Sequence, residues 1–375
     1  MGNIYSIVEL ASEQVSFLSV YFVQESIITN DGSRRKLKKA SARSCRFCGK
    51  SYPEVKFNSK AHLIPKWMGN INLKSDFECD ACNNKFSLFE TDFTSFLGLY
   101  RTLNPIGGDT AKFTSNTVVA NEYVLSSGKK VTYLINKNLE KKAFNLDTQT
   151  GKAEATYLKP TYTPINVYKL LLKIALSCLP LTDVATYRVL LEVLRDGNNK
   201  ALAHFAENVP YYRMSVKVSS PRVILFKRTS RCIRNFMHHA HIYFEEFLYI
   251  MPIPLNILDI SPKWRGKEPL DIFFCPPILL EEPQTQIDYY RDFLDLSSPD
   301  KVKETEKFNF DTDPKNLTNL SSWDMVTGKA NLADINGVPI EGMILTEDGQ
   351  IFDAQDMAEL QTLFKQIRID QGFKN

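Results

Sequence analysis

Two cysteine pairs, Cys45-Arg46-Phe47-Cys48 and Cys79-Asp80-Ala81-Cys82, are separated by thirty residues. Four thiolates in two C-x-x-C knuckles can surround one zinc ion tetrahedrally. Zinc held this way keeps no open position for substrate, so its expected role is structural. It would staple a segment of about 60 residues, too short to supply much core of its own; such binding is worth roughly 10–16 kcal/mol in small zinc domains. The three remaining cysteines, Cys178, Cys232 and Cys275, lie in apolar stretches and read as core. In a reducing compartment a tight group of four is better explained by metal than by disulfides.

Taken alone, paired knuckles also fit a zinc ribbon without catalysis. What they enclose points elsewhere. The run CRFCGKSYPEVKFNSKAHLIPKWMGNINLKSDFECDACNNKFSLFE, starting at Cys45, resembles the cysteine-containing branch of the HNH endonuclease family. In that branch a C-x-x-C pair, an H-x-I-P segment followed by Gly-Asn, and a C-x-x-C-N at a helix start recur in this order. The resemblance covers residues 45 to about 99.

It implies a ββα hairpin and helix holding one divalent cation, magnesium or manganese, with His62 at the position of the catalytic histidine. An imidazole with an unperturbed pKa near ~6.5 suits a base that takes a proton from water at neutral pH. The cation would neutralise the leaving oxygen and polarise the phosphate. By the same resemblance Asn83 is the helix-start asparagine that binds the cation. Asn72, with Asn70 as the alternative, matches the asparagine that pins the loop behind the base. Glu90 follows Asn83 by seven residues, two helical turns, so the two share a face; Asp92 faces away. Ala61 stands where many members carry an acidic ligand. Glu90, Glu78 or Asp80 then completes the shell, or the cation is held weakly, or the module has lost activity.

The formal net charge of +3 is unevenly spread. Residues 31 to 87 hold thirteen Lys or Arg against five acids, so the positive field sits on the cysteine-rich segment. Arg34, Arg35, Lys36, Lys38, Lys39, Arg43 and Arg46, in an acid-free run leading into the first knuckle, are the expected contacts to DNA phosphates, with steep salt dependence. A second histidine group, His238-His239-x-His241, has no acid before it at ligand spacing and reads as a strand edge rather than a metal site.

With 43% hydrophobic and 24% charged residues over 375 positions, the chain has room for two or three domains. It has no run of about 18 or more apolar residues and no secretory leader pattern, so a cytoplasmic protein without a membrane partner is expected. The expected fold class is α+β: a zinc-stapled ββα-metal nuclease module followed by a mixed α/β C-terminal region. Residues 1–44 read as N-terminal strands and the basic linker, with Val15 to Val23 the main strand candidate, and 45–104 as the nuclease module. Residues 105–285 read as a mixed α+β sensor or oligomerisation domain, and 286–375 as a polar segment with a C-terminal hairpin and helix.

Inside the module, strands are expected over Lys56 to Pro65 and Phe77 to Cys79, then a helix from near Asn83, because Phe86, Phe89, Phe93 and Phe96 recur at spacings of three and four. Downstream, strands are expected at Val118–Val124 and Lys130–Ile135, a helix at Ile165–Leu179 opened by Pro164, and a helix from Asp183 to Asp196. Strands follow at Tyr211–Val218, Arg222–Arg228 and His239–Ile253, and a last helix at Ala354–Ile367 is capped by Asp353.

Residues 104–375 contain no Gly-rich phosphate loop and no nucleophile elbow. The expected activity is therefore that of the module, hydrolysis of DNA phosphodiester bonds. The rest would control it through self-association or through a small-molecule or protein trigger, with defence against foreign DNA in a bacterial or phage setting as the role. The competing readings are a non-catalytic zinc-dependent nucleic-acid-binding protein and an interaction scaffold.

Overall fold

The computed structural model describes residues 3–6, 10–29, 39–104, 112–137, 143–147, 149–229, 235–259, 277, 287–311, 317, 323–324, 329–330, 340–346 and 350–370. Arg34, Arg35, Lys36, Lys38, Cys232 and Cys275 lie outside the described residues.

The chain opens with β1 (Asn3–Ser6), α1 (Ala11–Val20) and β2 (Tyr21–Ile28). The cysteine segment leads to α2 (Asp80–Leu97) and the short α3 (Tyr100–Leu103). Strands β3 (Phe113–Thr114), β4 (Val118–Val124), β5 (Lys130–Asn136), β6 (Phe144–Asp147) and β7 (Lys152–Leu158) follow. Next come α4 (Pro164–Cys178), α5 (Leu181–Val184), α6 (Arg188–Asp196) and α7 (Lys200–Ala206). Then β8 (Val209–Met214), β9 (Arg222–Arg228), β10 (His238–Phe244), β11 (Phe247–Ile253) and β12 (Asp288–Leu294) run in succession. The remaining elements are β13 (Thr305–Asp311), β14 (Trp323–Asp324), β15 (Lys329–Ala330), β16 (Gly342–Thr346) and α8 (Ala354–Asp370). No helix among the described residues is long and apolar enough to cross a membrane.

Two compact units emerge, each built from two chain segments: residues 1–93 with 162–302, and 94–161 with 303–375. The boundaries expected after 104 and after 285 both fall inside a unit. The physical reason is that the cysteine segment adds its apolar side chains to a core shared with residues 162–302.

That first unit is organised by a seven-stranded sheet in the order β1-β12-β8-β11-β10-β9-β2, its neighbours antiparallel. The expected strand 239–253 is a hairpin, because Phe244 pairs with Phe247 and Glu245 between them takes a positive φ of 49°. Every position of β10 is buried, with β9 on one side and β11 on the other. The histidine group is thus on an interior strand, not an edge. The polar stretch after 285 contributes β12, which is inserted between β1 and β8.

One face of this sheet is covered by α1, where a strand was expected. Leu10, Phe17 and Tyr21 are buried while Val15 and Leu18 are exposed, a one-sided helical stripe rather than an alternation. Phe17 and Tyr21 join Tyr212, Phe226, Tyr243 and Tyr289 in one cluster. The opposite face carries α4 across β9, β10 and β11. Pro164 occupies its first turn, where a missing N–H costs nothing, and all of α4 except Asn166 is buried. The cysteine segment meets the same face, with Trp67 and Phe93 edge-on to Phe244 and Phe93 edge-on to Tyr249.

In the second unit, sheets β16-β5-β4-β3 and β13-β7-β6 enclose Leu99, Phe113, Val118, Leu134, Phe144 and Tyr157. Helix α8 seats Met357 and Leu360 against Leu125 and Val131, and the Asp353 carboxylate accepts the Asp356 N–H at its N-terminus. All described strand pairs are antiparallel, so mixed helix and antiparallel sheet make the fold class α+β.

Candidate zinc and nuclease site

The four cysteines converge. The Sγ atoms of Cys45, Cys48, Cys79 and Cys82 all lie within 4.8 Å of one another, and among the described residues they are the one cluster of three or more His, Cys, Asp or Glu side chains close enough to share a metal. Cys48 Sγ and Cys79 Sγ are 3.8 Å apart. A tetrahedron with Zn–S bonds of about 2.3 Å has edges of about 3.8 Å, so the site fits zinc. Local backbone geometry makes this cradle: Gly49, at φ 73°, turns the first knuckle so that its N–H returns to the Cys45 carbonyl. The second knuckle is the first turn of α2, and the Asn83 N–H donates to the Cys79 carbonyl at 2.9 Å. Helix α2 therefore starts three residues before the expected Asn83, because Cys82 is part of its first turn. Asp80 secures this end by accepting the Ser59 N–H at 2.8 Å.

Where two strands were expected, the chain forms a minimal antiparallel pairing. His62 is bridged to Lys74, the Leu63 N–H donates to the Leu73 carbonyl at 3.2 Å, and the Ser75 N–H donates to the Ala61 carbonyl at 2.8 Å. The loop between these segments is closed by Asn70 rather than Asn72. Asn70 is fully buried; its amide donates to the carbonyls of Ile64 (2.7 Å) and Leu73 (2.9 Å), and its Oδ1 accepts the Leu73 N–H at 2.8 Å. Asn72 is half-buried. Gly69, at φ 96°, makes the left-handed bend after the turn Lys66–Met68 that delivers Asn70 to this place.

His62 is half-buried, and its Nδ1 is shielded from solvent without a hydrogen-bond partner. Burial, followed by the fields of Lys74, Lys173 and Lys66, holds its pKa below the ordinary value. The imidazole is therefore neutral at neutral pH, the form a proton acceptor needs. Lysines around it also make the site attractive to phosphate.

The acids distribute unequally. Glu78, buried, stands 3.1 Å from the equally buried Lys173 ammonium of α4. Asp80 is held by Ser59, and Asp92 accepts the Asn166 amide at 2.7 Å. Glu90 is half-buried on the same helix as the half-buried Asn83, two turns apart. Burial pushes its pKa up, against the Lys173 ammonium and the Trp67 indole beside it. Of the acids weighed to replace the ligand missing at Ala61, Glu78 and Asp80 are thus engaged with protein partners. Glu90, on the same helix face as Asn83, meets the Lys173 charge and the Trp67 indole.

The expected phosphate contacts fare differently. Among the described ones, Lys39 is exposed. Arg46 donates through Nη1 to the carbonyls of Leu176 (2.6 Å), Ser177 (3.0 Å) and Leu179 (2.9 Å), with its guanidinium 3.8 Å above the Phe77 ring. Arg43 donates to the Phe57 carbonyl at 3.3 Å. Arg46, through Nη1, satisfies the terminal carbonyls of α4 and sits at the negative end of its dipole, so it clamps the first knuckle to that helix. Sequence reasoning missed Lys173 as part of this site. The signal was a lysine interrupting the most apolar run of the chain, Leu170 to Leu181.

The histidine group of β10 is not a metal site. His239 lies against Phe17, Tyr21 and Phe236, and His241 against Phe226. On the opposite face of the strand, His238 Nδ1 is 2.8 Å from the Tyr187 hydroxyl.

No curated protein and no solved structure matches the chain. The model of the HNH endonuclease family matches residues 45–93, and the knuckles, the histidine loop and the helix start just described are the part of this chain that carries that family's signature.

Proposed function

We propose that the chain is a divalent-metal-dependent endonuclease that hydrolyses DNA phosphodiester bonds with His62 as general base. The observation that carries this reading is His62 itself. It is a neutral, half-buried imidazole ringed by Lys66, Lys74 and Lys173, inside the segment that matches a nuclease family. A phosphate drawn to the exposed Lys66 and the half-buried Lys74 brings its phosphorus near the imidazole. Water between them loses a proton to His62 as its oxygen attacks phosphorus, and the opposite ester oxygen leaves.

Asn83 and Glu90 would hold the divalent cation, and Asn70 holds the loop that carries the base. The cation, when bound, supplies charge neutralisation at the phosphate and the leaving oxygen. The cysteines hold structural zinc. A cutter restrained until a trigger acts would place that control in residues 105–285.

Plasmid DNA incubated with purified protein and magnesium or manganese tests this. Wild-type protein is expected to cut, and His62→Ala to lose activity by about 10²–10⁴-fold, the usual contribution of a general base. Salt-sensitive DNA binding without cleavage by either protein would overturn the nuclease and favour a zinc-dependent binding protein.

A further inference from the structure

Helix α4 is a core helix, yet it buries Lys173 so that only 1% of the residue is exposed. A charged head in such a place is costly unless it is paired and hydrogen-bonded. An aliphatic side chain would serve packing there at lower cost, so the role of Lys173 lies in what its ammonium touches. Nζ is 3.1 Å from Glu78 Oε2 and donates to the His62 carbonyl at 2.9 Å. The same charge acts on Glu90.

The His62 carbonyl needs that donor. Across the bridge to Lys74, the flanking Leu63 and Ser75 amides make the hydrogen bonds. This is the pattern in which the paired residues' own carbonyls point away from each other. The His62 carbonyl therefore faces out of the hairpin, toward α4. Peptide planarity couples this carbonyl to the backbone from which the imidazole projects, and Glu78 holds the ammonium at its other side.

We infer that Lys173 is a positioning residue for the proposed cleavage, fixing the His62 main chain to the sheet-bound helix and linking it to the Glu78 carboxylate. This rests on the nuclease reading above. Asn166, on the same helix, grips Asp92 of α2 rather than the His62 carbonyl, and so serves as a comparison for mere docking.

The test uses the full chain in the plasmid assay, with wild type, Lys173→Met, the double variant Glu78→Gln/Lys173→Met, and Asn166→Ala. Melting curves and zinc content report the fold. The double variant leaves no lone buried charge and keeps the fold even where the single variant does not. Lys173→Met and the double variant are expected to lose about 100-fold in kcat with KM nearly unchanged, the signature of lost transition-state geometry rather than lost binding. Asn166→Ala is expected to retain wild-type kcat. Wild-type kcat in the double variant, or a loss confined to KM, would overturn the positioning role, as would an equal loss in Asn166→Ala. A wild-type chain that leaves plasmid intact would instead overturn the nuclease reading on which the inference rests.

Discussion

At the residue scale, the site depends on which of several similar side chains has its hydrogen bonds closed. Asn70 and Asn72 are two positions apart, and no local pattern separates them. Asn70 alone is carried by the Gly69 bend to where it can serve two carbonyls and one N–H at once. Asn70→Ala leaves those buried groups without a partner, so a loss of about 2–4 kcal/mol in urea unfolding is expected, together with reduced cleavage. Asn72→Ala is expected to stay within about 0.5 kcal/mol. Equal effects of the two substitutions would remove Asn70 from its pinning role. Arg46 gives the same lesson for charge: an arginine in a basic run looks free for phosphate, yet its Nη1 is committed to the carbonyls at the end of α4.

At the scale of elements, β10 shows why a polar sequence need not be an edge. Its histidines are neutral inside the sheet: burial lowers His238 to about 4 and His239 to about 3, and takes His241 well below its ordinary value. Unfolded histidine titrates near ~6.5. The stabilising contribution of a neutral buried histidine is therefore fully present above about pH 6.5. It falls as acid protonates the unfolded chain first, by up to about 1.4 kcal/mol per pH unit for each histidine. Asp259, raised to about 7 by burial, works in the opposite direction, since its native state takes the proton. The clean readout is therefore a difference: between pH 7 and pH 5, wild type should lose more urea stability than His239→Phe. Parallel pH dependence in the two proteins would count against a neutral His239 in the core.

At the scale of the whole molecule, the segment that carries the family signature does not form a compact unit of its own. It belongs to a compact unit with residues 162–302, and its Trp67, Phe93 and Glu78 find their partners there. A fragment of residues 1–104 exposes these apolar rings and leaves Glu78 buried without its cation. It is expected to take up one zinc ion, because the cysteines are local to it, but to lack a cooperative thermal transition. A fragment that melts as sharply and at the same temperature as the full chain would show that the unit is divisible.

The sequence by itself determined what depends on near neighbours: the zinc knuckles from C-x-x-C spacing, helix α2 from its aromatic period, the proline start of α4, and His62 as the side chain suited to take a proton. Only the tertiary structure decided which groups those local pieces meet. It chose Asn70 over Asn72, spent Arg43 and Arg46 on carbonyls, turned an expected N-terminal strand into α1, and brought Lys173 to His62 across 111 positions and Arg46 to the end of α4 across 130 or more. Periodicity and spacing report interactions within a few residues of chain, whereas these partners are chosen by how a helix lies on a sheet, which no local pattern encodes.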